Sequence, residues 1–388
     1  MNKYFSKKEL LFLITISIAL GIRQMAMTMV MPFISTYSKT LLHSTPTLAG
    51  VALGVFGLTQ AIFQIPFGIW SDKIGNKFVL LFGIMEVVIG LVLAYFSSSI
   101  YVLILARGLQ GSGAILAVGY SWVTGSVASE KRPRALSILG MIIGVAAAGS
   151  FALGSIINKV LSVKDMFLVC AALIFIVWIV ILVFLKEEKP SISSSEKVNE
   201  VNVKESFKIL IHNNVFVRLN IAAFINNFIM IGVFFIVPQY LDKIIGISEM
   251  WKVFFPAVVI AVICMRKVIG FVEKGYSTKV MIIFYIITGI GLIFFFNKTS
   301  FVFILIGAIL FMSGYIVLST VIPSIANEIA EDSYRGTANG IINSFQYVGS
   351  FVGSVIGGML WNNHQNLFLI LLIILAILGT LTVRIKRR

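Results

Sequence analysis

The sequence predicts an all-α membrane protein, with twelve transmembrane helices in two six-helix bundles and both termini cytoplasmic. Three observations carry this. Apolar runs of about 20 residues fill the chain, each long enough to cross ~30 Å of hydrocarbon as a helix. The gaps between them alternate between Lys/Arg-rich and Lys/Arg-poor, the bias that marks cytoplasmic loops. One long polar stretch, Lys186 to Lys208, divides the chain near its middle. Composition agrees: the 388 residues are 59% hydrophobic and 12% charged, whereas soluble domains are about 25% charged. Helices follow because lipid leaves open strand edges unsatisfied, and these runs are too continuous for barrel strands.

The first span, at about residues 10–34, follows Lys7, Lys8 and Glu9. It runs past a signal-peptide core and has no small-x-small cleavage pattern, so it reads as a retained helix. Further spans are expected at about 46–70, 78–97, 100–125, 135–157 and 165–185. In the polar stretch, the Pro190 and Ser-rich part reads as a flexible tether, and Val203 to Ile211 as a short interfacial amphipathic helix. The second set is expected at about 216–240, 251–271, 279–296, 300–325, 337–360 and 366–384. The expected division is therefore 1–186 for the first bundle, 187–212 for the cytoplasmic linker and 213–388 for the second bundle.

Net charge is +15, from 31 Lys and Arg against 16 Asp and Glu. Six bases fall in gaps on the far side: Lys39, Lys159, Lys164, Lys243, Lys252 and Lys298. Arg23, Arg107 and Arg218 lie in or at the edge of apolar runs, and the rest fall in the cytoplasmic gaps. The basic balance is thus topological, so the expected partner is the lipid bilayer and not nucleic acid. Cys170 and Cys264 sit in apolar runs and read as small core residues. His43, His212 and His364 fall in or beside loops, and no metal-ligand spacing occurs, so no metal site and no cofactor is expected.

The halves read as repeats. Met31-Pro32 near the end of the first span is echoed by Val237-Pro238 near the end of the seventh. Glu130, Arg134 and Ala135 before the fifth span are echoed by Glu331, Arg335 and Gly336 before the eleventh. Both of these spans carry spaced glycines, Gly140, Gly144, Gly149 and Gly154 against Gly349, Gly353, Gly357 and Gly358, which let helix backbones approach closely in lipid. A parallel duplication of this kind suggests a transporter whose site lies near the midplane.

Between the second and third spans, Gly68 and Gly75 bracket Asp72 and Lys73, with Asn76 and Lys77 following. Glycine permits a tight reversal, and a carboxylate there can sit against a helix N-terminus. The plain alternative is a charged cytoplasmic turn. Gly50, Gly54, Gly57, Gln60, Gln64 and Pro66 lead into this segment, and Arg107, Gly108, Gln110, Gly111 and Gly113 form a second cluster in the fourth span. Arg218-Leu219-Asn220, Trp251-Lys252 and Tyr334 to Ala338 add to the pattern. Over essentially the whole chain, these motifs resemble the major facilitator superfamily. Within it they resemble the drug:proton antiporter branch and its YajR-type efflux proteins, though without the extra C-terminal soluble domain of the latter.

That resemblance implies a monomeric secondary transporter of a bacterial cytoplasmic membrane. It would move a small-molecule substrate by alternating access, with protons as the coupling ion and export as the direction. It implies a gate in which Asp72 pairs with the start of the eleventh span near Gly336 and Thr337, and with a base such as Arg134. Gly68, Gly75, Lys77, Gly144 and Gly154 complete the gating set. Two positions depart from the family pattern: Asn76 stands where a base is usual, and Ser155 where proline is expected. The second departure leaves open a proton-coupled uptake symporter for an anionic metabolite. A polytopic lipid-modifying enzyme would need a clustered catalytic set, and the sequence offers none.

Intramembrane polar residues are costly, about 2.5–3.5 kcal/mol for a central arginine on insertion scales. Arg23 lies midway through the first span and Arg107 in the outer half of the fourth. In the resembled family both spans line the cavity; the alternative is an arginine bonded to helix carbonyls. Glu86, about 13 Å along the third span at 1.5 Å per residue, is a candidate proton carrier or a neutral hydrogen-bonded acid. Gln24, Gln110, Asn226, Asn227 and Gln346 are the neutral pathway candidates, with Tyr120, Trp122, Gln239, Asn343 and Tyr347 behind them. Two arginines with no facing acid predict a preference for anionic or neutral-amphipathic solutes over lipophilic cations.

Overall fold

The computed structural model describes residues 5–185, 203–330, 335–362 and 364–384. Among them the fold is helical, with one isolated backbone bridge, Leu42 to Ser99, and no strand. The first half holds α1 (Lys7–Met29), the short α2 (Ile34–Tyr37), α3 (Pro46–Ile74), α4 (Asn76–Tyr95), α5 (Ile100–Ser112), α6 (Leu116–Ser126), α7 (Arg132–Ile157) and α8 (Val163–Phe184). The amphipathic α9 (Val203–His212) leads to α10 (Asn214–Ile244), α11 (Trp251–Phe271), α12 (Ser277–Phe294), α13 (Phe301–Ile329), α14 (Arg335–Leu360) and α15 (Gln365–Thr382).

Among the described residues, ten stretches are long and apolar enough to cross a membrane, against the twelve expected. One of them, Ile247–Phe294, is 48 residues long and contains both α11 and α12, which part at Gly275, where φ is 87°. α14 is not among the ten: its glycines, Asn343, Ser344 and Gln346 lower its apolarity, and it packs inside, against α3 and α10. Large apolar side chains face outward along the other helices, among them Ile65, Phe78, Leu105, Val145, Ile176, Val183, Ile263 and Ile286. That is the surface lipid requires of a helix bundle.

Helix ends follow local chemistry. Ser6 and Glu9 form a capping box at the start of α1. Thr45, Ser99, Ser162, Asn213 and Ser300 cap α3, α5, α8, α10 and α13 through their side chains. The expected loop between the second and third spans is shorter than the sequence suggests. α3 stays helical through Asp72 and Lys73 to Ile74, so Gly68 is inside a helix, and the chain reverses at Gly75 alone, with φ of 100°.

The expected fourth span is broken. α5 ends at Ser112, Gly113 turns the chain with φ −66° and ψ 62°, and α6 resumes at Leu116. The break presses against α4: a side chain on Gly113 would meet the Gly83 carbonyl and Val87. α7, in contrast, is continuous to Ile157. Its Ser155 hydroxyl donates to the Phe151 carbonyl at 3.1 Å, where a proline would have removed a backbone donor.

The packing repeats between halves. α1 against α7 is matched by α10 against α14, α3 against α5 by α11 against α13, α4 against α5 by α12 against α13, and α4 against α8 by α12 against α15. The broadest seams between the halves are α3 with α14 and α7 with α11, themselves related by the same exchange, and α10 also packs on α2.

Candidate functional site

Call the end of the bundle with Gly75 and α9 the linker end, and the opposite end the far end. Along the α3–α14 seam the far end is sealed by backbone contact. A side chain on Gly50 or Gly54 would run into Ser354, one on Gly57 would meet the Tyr347 carbonyl at 3.1 Å, and one on Gly358 would run into Pro46. The seam ends at Gln60, whose Nε2 donates to the Tyr347 hydroxyl at 2.8 Å. Gly68 lies on the same face of α3 as Gly57, eleven residues on, and Gly340 on the same face of α14 as Tyr347, seven residues back. Neither has a described atom of another segment within 4 Å of where a Cβ would stand. Among the described residues the seam is therefore in close contact at the far end and open at Gly68 and Gly340.

The α7–α11 side shows the same seal. Lys159 sits over the Trp251 ring at 4.5 Å, and Trp251 Nε1 donates to Glu249, which also pairs with Lys252 at 3.0 Å. Phe151 stacks on Phe234 of α10 at 4.7 Å. Phe235 and Tyr240 pack on Trp361, beside a cavity of about 210 Å³ lined in part by Lys39, Gln239 and Asn362.

Where the seal stops, the polar residues gather. Arg23 and Arg107 are both fully buried and lie over the Phe56 ring, their Cζ atoms 5.8 and 4.9 Å from its centre. Arg23 Nη2 donates to the Gly113 carbonyl at 3.1 Å, an acceptor that the break in the fourth span releases. Arg107 Nη1 donates to Gln110 Oε1 at 2.6 Å, and Gln110 Nε2 donates to the Gly90 carbonyl at 3.1 Å. Nε and Nη1 of Arg23, and Nε and Nη2 of Arg107, have no acceptor among the described residues. Tyr347 lies within electrostatic reach of Arg23, Tyr120 and Tyr315. Gln24, Tyr120, Tyr315, Asn343, Gln346 and Tyr347 are partly exposed.

The expected site residues distribute unevenly around this cluster. Arg23 and Arg107 are at its centre, and Gln24 and Gln346 at its margin, Gln24 donating to Thr28 at 3.1 Å. Gln110 is fully buried and spends both ends of its amide on Arg107 and α4. It positions the arginine and does not face the opening. Asn226 and Asn227 are buried on α10; Asn227 donates back to Ala223, and Asn226 Nδ2 has no acceptor among the described residues. Glu86 is half-buried on α4, facing Ser112 at the edge of the helix break. Trp122 packs edge-on to Phe12 inside the first half, and Gln239 belongs to the far-end cavity.

Of the gating set, Lys77 donates to the Leu182 carbonyl at 2.8 Å, tying α4 to α8 within one half. Gly154 abuts Met29, also within one half, and Gly144 faces open space. The Asp72 side chain, Tyr334 and the Arg335 side chain lie outside what the structure describes. Phe56 and Gln60 carry the cluster, yet sequence reading did not select them as site residues. The available signal for Gln60 was an amide inside an apolar run, one helical turn from Phe56.

The comparisons with known proteins agree with this architecture. The family model described as Major Facilitator Superfamily matches residues 16–354 and 268–388. The inner membrane transport protein YajR of Escherichia coli K12 is 30% identical over 339 residues, covering 85% of this chain and 72% of that protein. The class B tetracycline resistance protein of Escherichia coli is 26% identical over 217 residues, covering 55% of this chain and 51% of that one. The crystal structure of a D-xylose-proton symporter superposes with a TM-score of 0.78 at 14% identity, over 96% of this chain and 97% of that one. These are transporters, not enzymes, which removes the lipid-modifying reading. The chain is a multi-pass membrane transporter and belongs to the major facilitator superfamily.

Proposed function

We propose that this transporter exports a small solute across a bacterial cytoplasmic membrane in exchange for protons, as a monomer. The reading has twelve crossings, both ends cytoplasmic, and bodies at 1–186 and 213–388 that rock about the midplane. The observation that carries it is the asymmetric seam: sealed from Pro46 to Gln60, and parted at Gly68 and Gly340, on the same helix faces. The linker end is cytoplasmic because it holds most of the Lys and Arg. The state is then open to the cytoplasm, the state in which an exporter loads.

In this reading Arg23, Arg107 and Tyr347 form the floor of the solute path, with Gln24, Gln346, Asn226 and Asn227 along it. Glu86 carries the proton: a half-buried carboxyl beside the break at Gly113 can bind and release one while the fourth span shifts. Asp72, Gly75 and Arg134 form the cytoplasmic gate that closes when the halves rock over. A second reading reverses the flux; the unbroken α7 with Ser155 supports it, since the proline of the antiport motif is missing.

Proteoliposomes with an imposed pH difference test this. Solutes retained in excess by a deletion strain are the cargo to load. Extrusion against the proton gradient supports export. Accumulation along it establishes uptake, and flux indifferent to the gradient removes proton coupling.

A further inference from the structure

Two fully buried guanidinium groups share one aromatic ring, and neither pairs with a carboxylate among the described residues. Their acceptors are a backbone carbonyl and an amide oxygen, both neutral. Removing an arginine from water without a counter-charge costs several kcal/mol. Against that stand one hydrogen bond from each guanidinium and a cation–π contact with Phe56. The arrangement therefore holds uncompensated positive charge.

The unpartnered donors show what shape that charge takes. On Arg107, Nε and Nη2 form one complete edge of the guanidinium, and neither has an acceptor among the described residues. A guanidinium edge matches the two oxygens of a carboxylate. Gln110 holds the opposite side through Nη1 and is itself anchored on α4, so the edge is fixed in direction. Arg23, over the same Phe56 ring, has Nε and Nη1 without an acceptor among the described residues. Aromatic rings from both halves lie near Arg23: Tyr347 of the second half is within electrostatic reach of it, and Tyr120 of the first half and Tyr315 of the second are within reach of Tyr347.

Resting on the transporter reading above, we infer that the substrate is a carboxylate-bearing organic anion with an aromatic or apolar body. Its carboxylate is held on the Nε/Nη2 edge of Arg107 and completed by Arg23. Phe56 covers the seat in the present state and turns aside to admit it. The body of the solute lies against Tyr120, Tyr315 and Tyr347, so a bound anion touches both halves at the level where the seam ends. This contact lets occupancy at the first half's arginines influence closure against the second.

The test is equilibrium binding to the full chain in nanodiscs of neutral phosphatidylcholine, which supplies no anionic headgroup. Benzoate is the carboxylate probe, tetraphenylphosphonium the cation probe and chloride the inorganic probe, each followed by thermal shift and titration. Benzoate should stabilise the protein saturably, and Arg107→Lys, which keeps the charge and loses the edge, should weaken it at least about tenfold. Arg107→Gln and Arg23→Gln should abolish binding without lowering the melting temperature of the unliganded protein, since each removes an uncompensated buried charge. The inference is overturned if benzoate binds Arg107→Gln as well as wild type, if tetraphenylphosphonium binds in its place, or if chloride alone gives the same saturable, Arg107-dependent shift. Binding needs no gradient, so its failure leaves the transport reading standing. A lack of gradient-driven flux with benzoate binding intact would instead remove the transport reading.

Discussion

Gly50→Ala isolates the far-end seal. The added methyl on α3 would run into the backbone carbonyl of Ser354, with the Ser354 carbonyl carbon at 3.0 Å and Gly358 Cα at 3.3 Å. Backbone cannot rotate away, so α3 and α14 must separate or strain. Overpacking of this kind costs about 1–3 kcal/mol, and only in the state with the far end shut. The equilibrium should then move about 5- to 150-fold toward the state with the far end open. The reporter is a cysteine in place of Gln239, which is 1% exposed beside the seam, in a background with Cys170 and Cys264 replaced by alanine. A membrane-impermeant thiol reagent on intact cells should label it faster by that factor. A cysteine at Gly340 should label more slowly in inverted vesicles. Gly68→Ala on the same helix is the counter-test: its methyl meets no described residue within 4 Å in this state, so it should not raise labelling at Gln239→Cys. Unchanged labelling at Gln239→Cys in a folded Gly50→Ala protein would refute the reasoning.

Three further outcomes are expected. In a double-mutant cycle of Gln60→Ala and Tyr347→Phe, the pair should show a coupling of about 0.5–1.5 kcal/mol in far-end labelling; purely additive effects would mean that the 2.8 Å contact does not hold the halves together. Glu86→Gln should keep solute exchange between equal compartments while losing gradient-driven accumulation, and transport that stays fully pH-driven would remove the carboxyl from the proton path. Asp72→Asn should cut transport while leaving insertion and expression intact, and wild-type flux in vesicles would dismiss the gate.

Hydropathy and lysine placement made the helices and the duplication legible. Both record where the chain meets lipid, and that fixes which runs are spans. They do not record where a helix ends, so the α3–α4 connection read as a charged loop when the helix in fact continues past Asp72 to Ile74. The break at Gly113 was invisible for a related reason. Its glycine read only as part of the fourth-span motif, and the backbone angles at Gly113 show that the chain turns there. Arg23 and Arg107 stood out because charge inside an apolar run is rare. Phe56, one of 32 phenylalanines, carries no such mark, and its contact with both cations is a matter of three helices meeting. Gln60 and Tyr347 are 287 residues apart, a pairing that no local pattern encodes.

The central claim is that the two halves open at one end only while closed at the other. Paired spin labels at Gly68 and Gly340 report the linker end, and a pair at Thr45 and Asn362 the far end, with distances measured by pulsed electron resonance over a range of pH. The account predicts opposed changes, the linker-end distance shortening in the populations where the far-end distance lengthens. Two distances that stay fixed, or that lengthen and shorten together, would contradict it.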